Sequence, residues 1–414
     1  MPSSRRLIDY EPIIGSVAAS KLRQVARDLS GRKVVHVNST REGGGVAEIL
    51  FWMIPLMRDL GLDASWEVID GNPDFFNVTK AIHNGLQGKR VIMSEKMIKA
   101  YEDTLETNAE RLRSKLVEAD FVIIHDPQPA RLLELCPDRK GKWIWRCHID
   151  VSQPDRKVWN YIRSMVNGYD ASIFSMPDFA RSIDHPQFIV APSIDPLSEK
   201  NIELSADEMN QVLSQFGLDP DRPIITQISR FDRFKDPVGV IEAVKLLNSA
   251  YNVQLVLAGG GATDDPEGNV VLEEVQMAAN GKENIHILLL PPDAHRTINA
   301  LQRASTIVVQ KSLQEGFGLT VTEAMWKGKP VIGGNVGGIR LQIHDSHTGF
   351  LVDTPEGAAL RMHNLLARPE LMHRLGHTAR QFVLENFLCN RQLREYMTLM
   401  AGLKRGLANH LMAS

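Results

Sequence analysis

Two glutamates bracket a glycine turn in the segment Glu315-Gly316-Phe317-Gly318-Leu319-Thr320-Val321-Thr322-Glu323. The apolar run 305–310 before it reads as a buried strand, and the segment 324–330 after it reads as a helix ending at a glycine. A carboxylate and two glycines therefore sit where a strand hands over to a helix N-terminus, which is where open α/β sheets bind ligands. The helix start offers free N–H groups and the positive end of a dipole to a phosphate. A carboxylate only accepts hydrogen bonds, so it suits a hydroxyl-rich group. Together they point to a sugar joined to a phosphate. The structural reading is strongest for Glu323, because Thr320-Val321-Thr322-Glu323 matches the T-x-x-E capping box. Glu315 is required by no turn and is the cleaner functional residue.

Other charges stand at similar junctions. Arg230 and Lys235, in Ser229-Arg230-Phe231-Asp232-Arg233-Phe234-Lys235, follow the first strand of the second half. They could converge on a diphosphate, arginine as a bidentate fork and lysine as a point charge; the plain reading is a solvated loop. Gly43-Gly44-Gly45, after Asn38-Ser39-Thr40-Arg41-Glu42, lets backbone approach a ligand at the first strand-to-helix turn, or simply makes that turn tight. It satisfies neither the dinucleotide G-x-G-x-x-G nor the P-loop pattern. His148, in Arg146-Cys147-His148-Ile149-Asp150, and Asp126 stand at strand ends in the first half, where a histidine is more often a satisfied structural group. Asp264-Asp265 could hold a metal but read as turn residues, and no His or Cys set has zinc spacing.

These residues need a scaffold, and the chain is long enough for one. Its 414 residues, 43% hydrophobic and 23% charged, describe an ordinary enzyme of two or three domains. A net charge of −3 implies no general attraction to nucleic acid. Cys136, Cys147 and Cys389 form no C-x-x-C pair and, being odd in number, no disulfide framework. The start Met-Pro-Ser-Ser-Arg-Arg leads into no apolar signal stretch, and no run is long enough to cross a membrane. The cytoplasm is the expected location, with no membrane partner.

Short apolar runs alternate with helical patterns, which predicts parallel sheets covered on both faces. Strands are expected at 34–39, 64–69, 121–125, 143–149, 171–175 and 188–191, then at 224–229, 254–258, 285–290, 306–310, 331–333 and 350–352. Helices are expected at 46–60, 94–118, 206–216, 237–250 and 297–303, and from 370 to the C-terminus with a break at Asn386-Phe387. The polar, proline-bounded stretch 192–223 reads as the interdomain connection. The fold class is α/β, two doubly wound Rossmann-like domains facing a cleft. Residues 1–193 form the first and 194–386 the second, with a last helix of about 387–414 able to pack back on the first.

Read together, these sites resemble the retaining GT-B glycosyltransferases of the sucrose-synthase and glycogen-synthase-like family 4. Glu315-Gly316-Phe317-Gly318 with Glu323 matches that family's E-x7-E motif, Arg230 and Lys235 its R-x4-K, and Gly43-Gly44-Gly45 its N-terminal glycine loop. The match is closer to trehalose synthases of the glycosyltransferring type. It is carried by segments 36–50, 75–80, 125–129, 145–150 and 192–201, and it covers nearly the whole chain. One departure is Asp236, which follows Lys235 where the family pattern has glycine.

The resemblance implies retaining, reversible transfer of glucose from UDP- or ADP-glucose to free glucose, giving α,α-trehalose. It implies a donor site of Gly44, Gly45, Arg230, Lys235, Glu315, Gly316, Phe317, Gly318, Leu319, Thr320 and Glu323. Arg230, Lys235 and the Leu319 and Thr320 N–H groups would meet the diphosphate, Glu323 the ribose and Glu315 the glucose hydroxyls. Asn38, Glu42, Asp126, His148 and Asp150 would meet the acceptor. His148, Arg230, Lys235 and Glu315 are the implied catalytic set. Nucleotide-glucose is the co-substrate and no cofactor is required, Mg2+ being at most a stimulant. A homodimer is left open. Two other readings remain: a trehalose phosphorylase acting through glucose 1-phosphate, and a non-catalytic sugar-phosphate sensor.

Overall fold

The computed structural model describes residues 5–41, 44–247, 251–260 and 266–406. It divides into two compact units: residues up to Ser193 together with those from Cys389 onward, and Ile194–Leu388. Each is built on one six-stranded sheet in which every pairing is parallel.

The first sheet contains β1 (Lys33–Asn38), β2 (Asp63–Val68), β3 (Phe121–His125), β4 (Lys142–Arg146), β5 (Ala171–Phe174) and β6 (Gln187–Ile189), in the order β2-β1-β3-β4-β5-β6. The second contains β7 (Ile224–Ile228), β8 (Gln254–Gly259), β9 (Ile285–Leu289), β10 (Ile307–Gln310), β11 (Val331–Gly334) and β12 (Phe350–Val352), in the order β12-β11-β10-β7-β8-β9. Counted from its own first strand, the second order is the 3-2-1-4-5-6 of dinucleotide-binding folds. Each sheet reverses its order once on leaving its first strand, between β1 and β3 and between β7 and β10. The crevice beyond the carboxyl ends of those strands is where such sheets bind ligands.

The strands are recognisable because they are buried on both faces. β3, β7 and β8 are buried at every position, the continuous apolar run of a covered parallel sheet. All twelve expected strands are present, β3 and β12 with the expected ends and the others with an end moved by one to three residues. The largest change is at β4, which stops at Arg146 and not at residue 149. There the Asp126 side chain accepts the His148 N–H at 2.7 Å, so a carboxylate takes the place of the next ladder bond.

Helices expected at 46–60 and 94–118 are found as Gly45–Asp59 and Glu95–Glu118, the latter capped by the Ser94 hydroxyl. Pro237–Lys245 is shorter than the expected 237–250, of which 248–250 lie outside the described residues. The C-terminal region breaks as expected, into Pro369–Asn386 and Cys389–Lys404. The second of these packs on Ser16–Arg27 and Gly45–Asp59 of the first unit, and its Gln392 accepts from Ser193 Oγ at 2.7 Å.

The stretch expected to be a connection, 192–223, is instead folded into the second unit from Ile194 onward. Asn299 and Arg303 donate to the carbonyls of Glu199, Asn201 and Ile202, and Ala206–Gln215 packs on His295–Ala304. Its polarity reflects these side-chain bonds to backbone, a use of polar residues that composition does not distinguish from solvation. Among the described residues no helix is long and apolar enough to cross a membrane.

Candidate active site

In the second unit, the loops that leave β7 and β10 meet at the sheet's reversal point. Leu313 N–H donates to Phe234 O at 2.7 Å, and the Gln227 side chain donates to Lys235 O at 2.7 Å. This brings two sequence-distant sites together: Lys235 Nζ lies 2.5 Å from Glu315 Oε2, and Ser312 Oγ donates to the same oxygen at 3.2 Å. Glu315 is 9% exposed, so its carboxylate is directed and not merely solvated. Arg230, at the end of β7, is exposed.

The Gly316-Phe317-Gly318 turn is held from beneath. Gln342 Nε2 donates to Phe317 O at 2.5 Å and Gly338 O at 3.1 Å, while its Oε1 accepts from Thr322 Oγ1 at 2.5 Å. Gly338 allows this approach, since a Cβ there would lie 2.4 Å from Phe317 Cα. Gly318, at φ 86°, turns the chain and is the N-cap of the helix Leu319–Trp326. The first N–H groups of that helix, Leu319 and Thr320, have no partner within the helix, and a Cβ at Gly318 would lie 3.2 Å from Glu315 Cγ, so the helix starts beside the Lys235–Glu315 pair.

The capping box expected at Thr320–Glu323 is not formed. The helix starts earlier, at the left-handed Gly318, which leaves Glu323 one turn inside. Thr320 Oγ1 donates to Gln310 Oε1 at 3.5 Å instead. Glu323 is 2% exposed and its Oε1 lies 3.9 Å from Lys200 Nζ. Lys327, on the same helix, donates to Asn201 Oδ1 at 3.0 Å; burial pulls its pKa down to about 7 against the opposing pull of Glu323.

Asp236 is explained by its backbone. It adopts φ 51° and ψ 51°, a left-handed conformation that glycine takes freely and aspartate tolerates. Its Oδ1 accepts from Gly239 N at 3.1 Å, capping Pro237–Lys245, and its Oδ2 pairs with Lys311, which is 3% exposed. The added charge is therefore neutralised within the loop.

In the first unit the residues cluster at the ends of β1, β3 and β4. His36 Nδ1 lies 3.0 Å from His125 Nε2, and His125 Nδ1 lies 3.0 Å from His148 Nε2, with the rings stacked. Burial drives His36 down to about 3. Burial followed by neighbouring charge, Arg146 included, drives His125 and His148 well below the histidine range. Asp126, at φ 65°, is raised by burial to about 7, against the opposing pulls of the His148 N–H and Arg146. Asn38 has its amide committed, donating to Thr40 O and accepting from Trp66 Nε1, both at 2.7 Å. Asp150 accepts from Ser152 N at 2.9 Å in a local turn. Gly44, at φ 86°, caps Gly45–Asp59. Glu42, Gly43 and the Asp264-Asp265 pair lie outside the described residues.

Several residues of these clusters were not singled out from sequence: His36 and His125 beneath His148, and Ser312, Gln342 and Lys311 around Glu315. His36 carried a signal, a polar ring in the strand Lys33-Val34-Val35-His36-Val37-Asn38. Gln342 carried none, because its role depends on a fold contact with a loop far away in sequence.

Two Rossmann-like sheets, each with titratable residues gathered at its reversal point, are the architecture of the GT-B glycosyltransferases. The fold matches that of an α,α-trehalose-phosphate synthase (UDP-forming) from Burkholderia xenovorans, solved with glucose-6-phosphate, at a TM-score of 0.74 and 12% identity, covering 90% of this chain and 100% of that one. The family model "Trehalose synthase, N-terminal domain" matches residues 36–181, and "Glycosyl transferases group 1" matches 209–382. A trehalose synthase of Pyrococcus horikoshii is 44% identical over 407 residues, 96% of this chain and 97% of that protein. The chain belongs to the trehalose synthase family. A trehalose phosphorylase of Pleurotus pulmonarius is also related, 27% identical over 86% of this chain and 55% of its own length.

Proposed function

We propose that this trehalose-metabolising glycosyltransferase moves glucose from a nucleotide-glucose to free glucose with retention, forming α,α-trehalose reversibly. The observation that carries this reading is the Lys235–Glu315 pair beside the first N–H groups of Leu319–Trp326. A sugar diphosphate offers each member its natural partner: phosphate oxygens for Lys235 and Arg230, hydroxyl donors for Glu315. The diphosphate gains charge as it leaves, and donors aimed at developing charge are worth roughly 3 kcal/mol each. In the first unit His148 and Asp150 would address the acceptor glucose. Retention follows when the acceptor hydroxyl attacks from the face the phosphate vacates, with that phosphate taking the proton.

Phosphorolysis is the second reading, and one observation favours it. Glu323, assigned to ribose, is 2% exposed and stands near Lys200; a phosphorylase has no ribose to bind. The test is to incubate purified protein with glucose and either a panel of nucleotide-glucoses or glucose 1-phosphate, and to identify any disaccharide by chromatography. Trehalose from a nucleotide-glucose, lost in Glu315→Gln, is expected. Trehalose from glucose 1-phosphate alone would establish the second reading, and no disaccharide from any donor would sink both.

A further inference from the structure

We propose that His36 and His125 are positioning residues that fix His148 as its Nδ1–H tautomer, making it a hydrogen-bond donor toward a sugar hydroxyl oxygen. The ligand class rests on the acceptor reading above, while the tautomer rests on the first unit alone.

The argument is a count of protons. All three rings are held neutral at physiological pH by burial, helped at His125 and His148 by the Arg146 cation. A neutral imidazole carries one N–H and one lone pair. Each of the two 3.0 Å nitrogen–nitrogen contacts therefore holds a single proton. His125 uses both its nitrogens, so it must donate with one and accept with the other. The chain then has only two states, and in each the tautomer of one ring dictates the other two.

The end of the chain selects between them. His36 is wholly buried, and its Nε2 has no hydrogen-bond partner among the described residues. Tyr396 stacks over it, the ring centroids 6.3 Å apart. If the chain ran from His148 toward His36, Nε2 of His36 would carry an orphaned buried N–H, the costlier kind of unpaired group. Running the other way leaves only an unused lone pair. So His36 Nδ1–H donates to His125 Nε2, and His125 Nδ1–H donates to His148 Nε2. His148 keeps its proton on Nδ1, the reverse of the Nε2–H form that free histidine favours. The Asp126 side chain accepts the backbone N–H of His148 and so fixes the main chain that carries the ring. A donor fixed in this way grips a hydroxyl oxygen and is no proton acceptor at Nδ1.

Long-range proton–nitrogen NMR on full-length protein with nitrogen-15 histidine reads the tautomers directly, with peaks assigned by their loss in single-histidine variants. Nδ1–H at both His125 and His148 is expected in the unsubstituted protein without substrate. An Nε2–H signature at either ring overturns the proposal, whatever the enzyme turns out to catalyse. In His36→Phe the stack loses its first donor. His148 should then drift to mixed tautomers and kcat/KM for glucose should fall about tenfold, the size of one neutral hydrogen bond. His36→Gln, which restores an N–H donor, should recover part of that loss. An unchanged His148 signature in folded His36→Phe would count equally against the idea.

Discussion

At Asp236 a left-handed backbone, a helix start and a buried lysine meet in one residue. Replacement by glycine, the residue of the related pattern, relaxes the backbone but removes the cap and leaves Lys311 buried without its carboxylate. The losses outweigh the gain, and we expect Asp236→Gly to be destabilised by about 2 kcal/mol. Asp236→Asn keeps the cap and tolerates the same backbone, so it should fall between the two. Hydrogen exchange over Pro237–Lys245 checks the order; faster exchange in Asn than in Gly would contradict it. The same residue marks a limit of reading by motif. From sequence Asp236 is only a departure from a glycine pattern, and the pairing that cancels its charge joins loops distant in the chain.

The element that most shapes the site of the second unit is the turn Gly316-Phe317-Gly318 with its support. Strand and helix on either side were legible, because apolar runs and glycine punctuation are local. The support was not. Gly338 and Gln342 approach the turn from the segment after β11, and only the packed sheet puts them there. In Gly338→Ala the new methyl would meet the Phe317 backbone, which must shift. A displacement of about 1 Å in such a loop can cost on the order of a hundredfold in kcat/KM. Gly402→Ala serves as the control, since nothing lies within 4 Å of a Cβ there and the helix should only gain stability. Steady-state kinetics of the two variants decides the matter: equal activity would mean the turn does not position the donor.

At the scale of the molecule, the buried histidines make a statement about pH. His36 titrates at about 3 when folded and near 6.5 when unfolded, and His125 and His148 are lowered in the same sense. Stability from these rings is present above about pH 6.5 and is lost as pH falls toward their folded values. Asp126 works the other way: raised to about 7 when folded, it favours the folded state as pH falls from 7 toward 4. Three groups oppose one, and His185 and His286, also lowered by burial, side with the three, so between about pH 6 and 4 the unfolded chain should bind more protons than the folded one. Denaturation midpoints across that range should fall with acid, and His36→Phe should lessen the slope by about one proton. A midpoint that is flat or rises on acidification would refute the assignment.

What the sequence determined by itself was local or periodic. Apolar runs of strand length gave all twelve strands, helical patterns the main helices, and glycines at strand ends the turns where a ligand could dock. Motif spacing placed Arg230, Lys235, Glu315 and Glu323 among the residues to watch. The tertiary structure decided which of those residues meet. It joined Lys235 to Glu315, buried Glu323 beside Lys200, tied Asp236 to Lys311 and stacked His36 and His125 beneath His148. The reason is physical: propensity and hydrophobic period act over a few residues, whereas the partner of a buried charge or ring is set by strand order. In both sheets that order brings β1 beside β3, and β7 beside β10, across long stretches of chain.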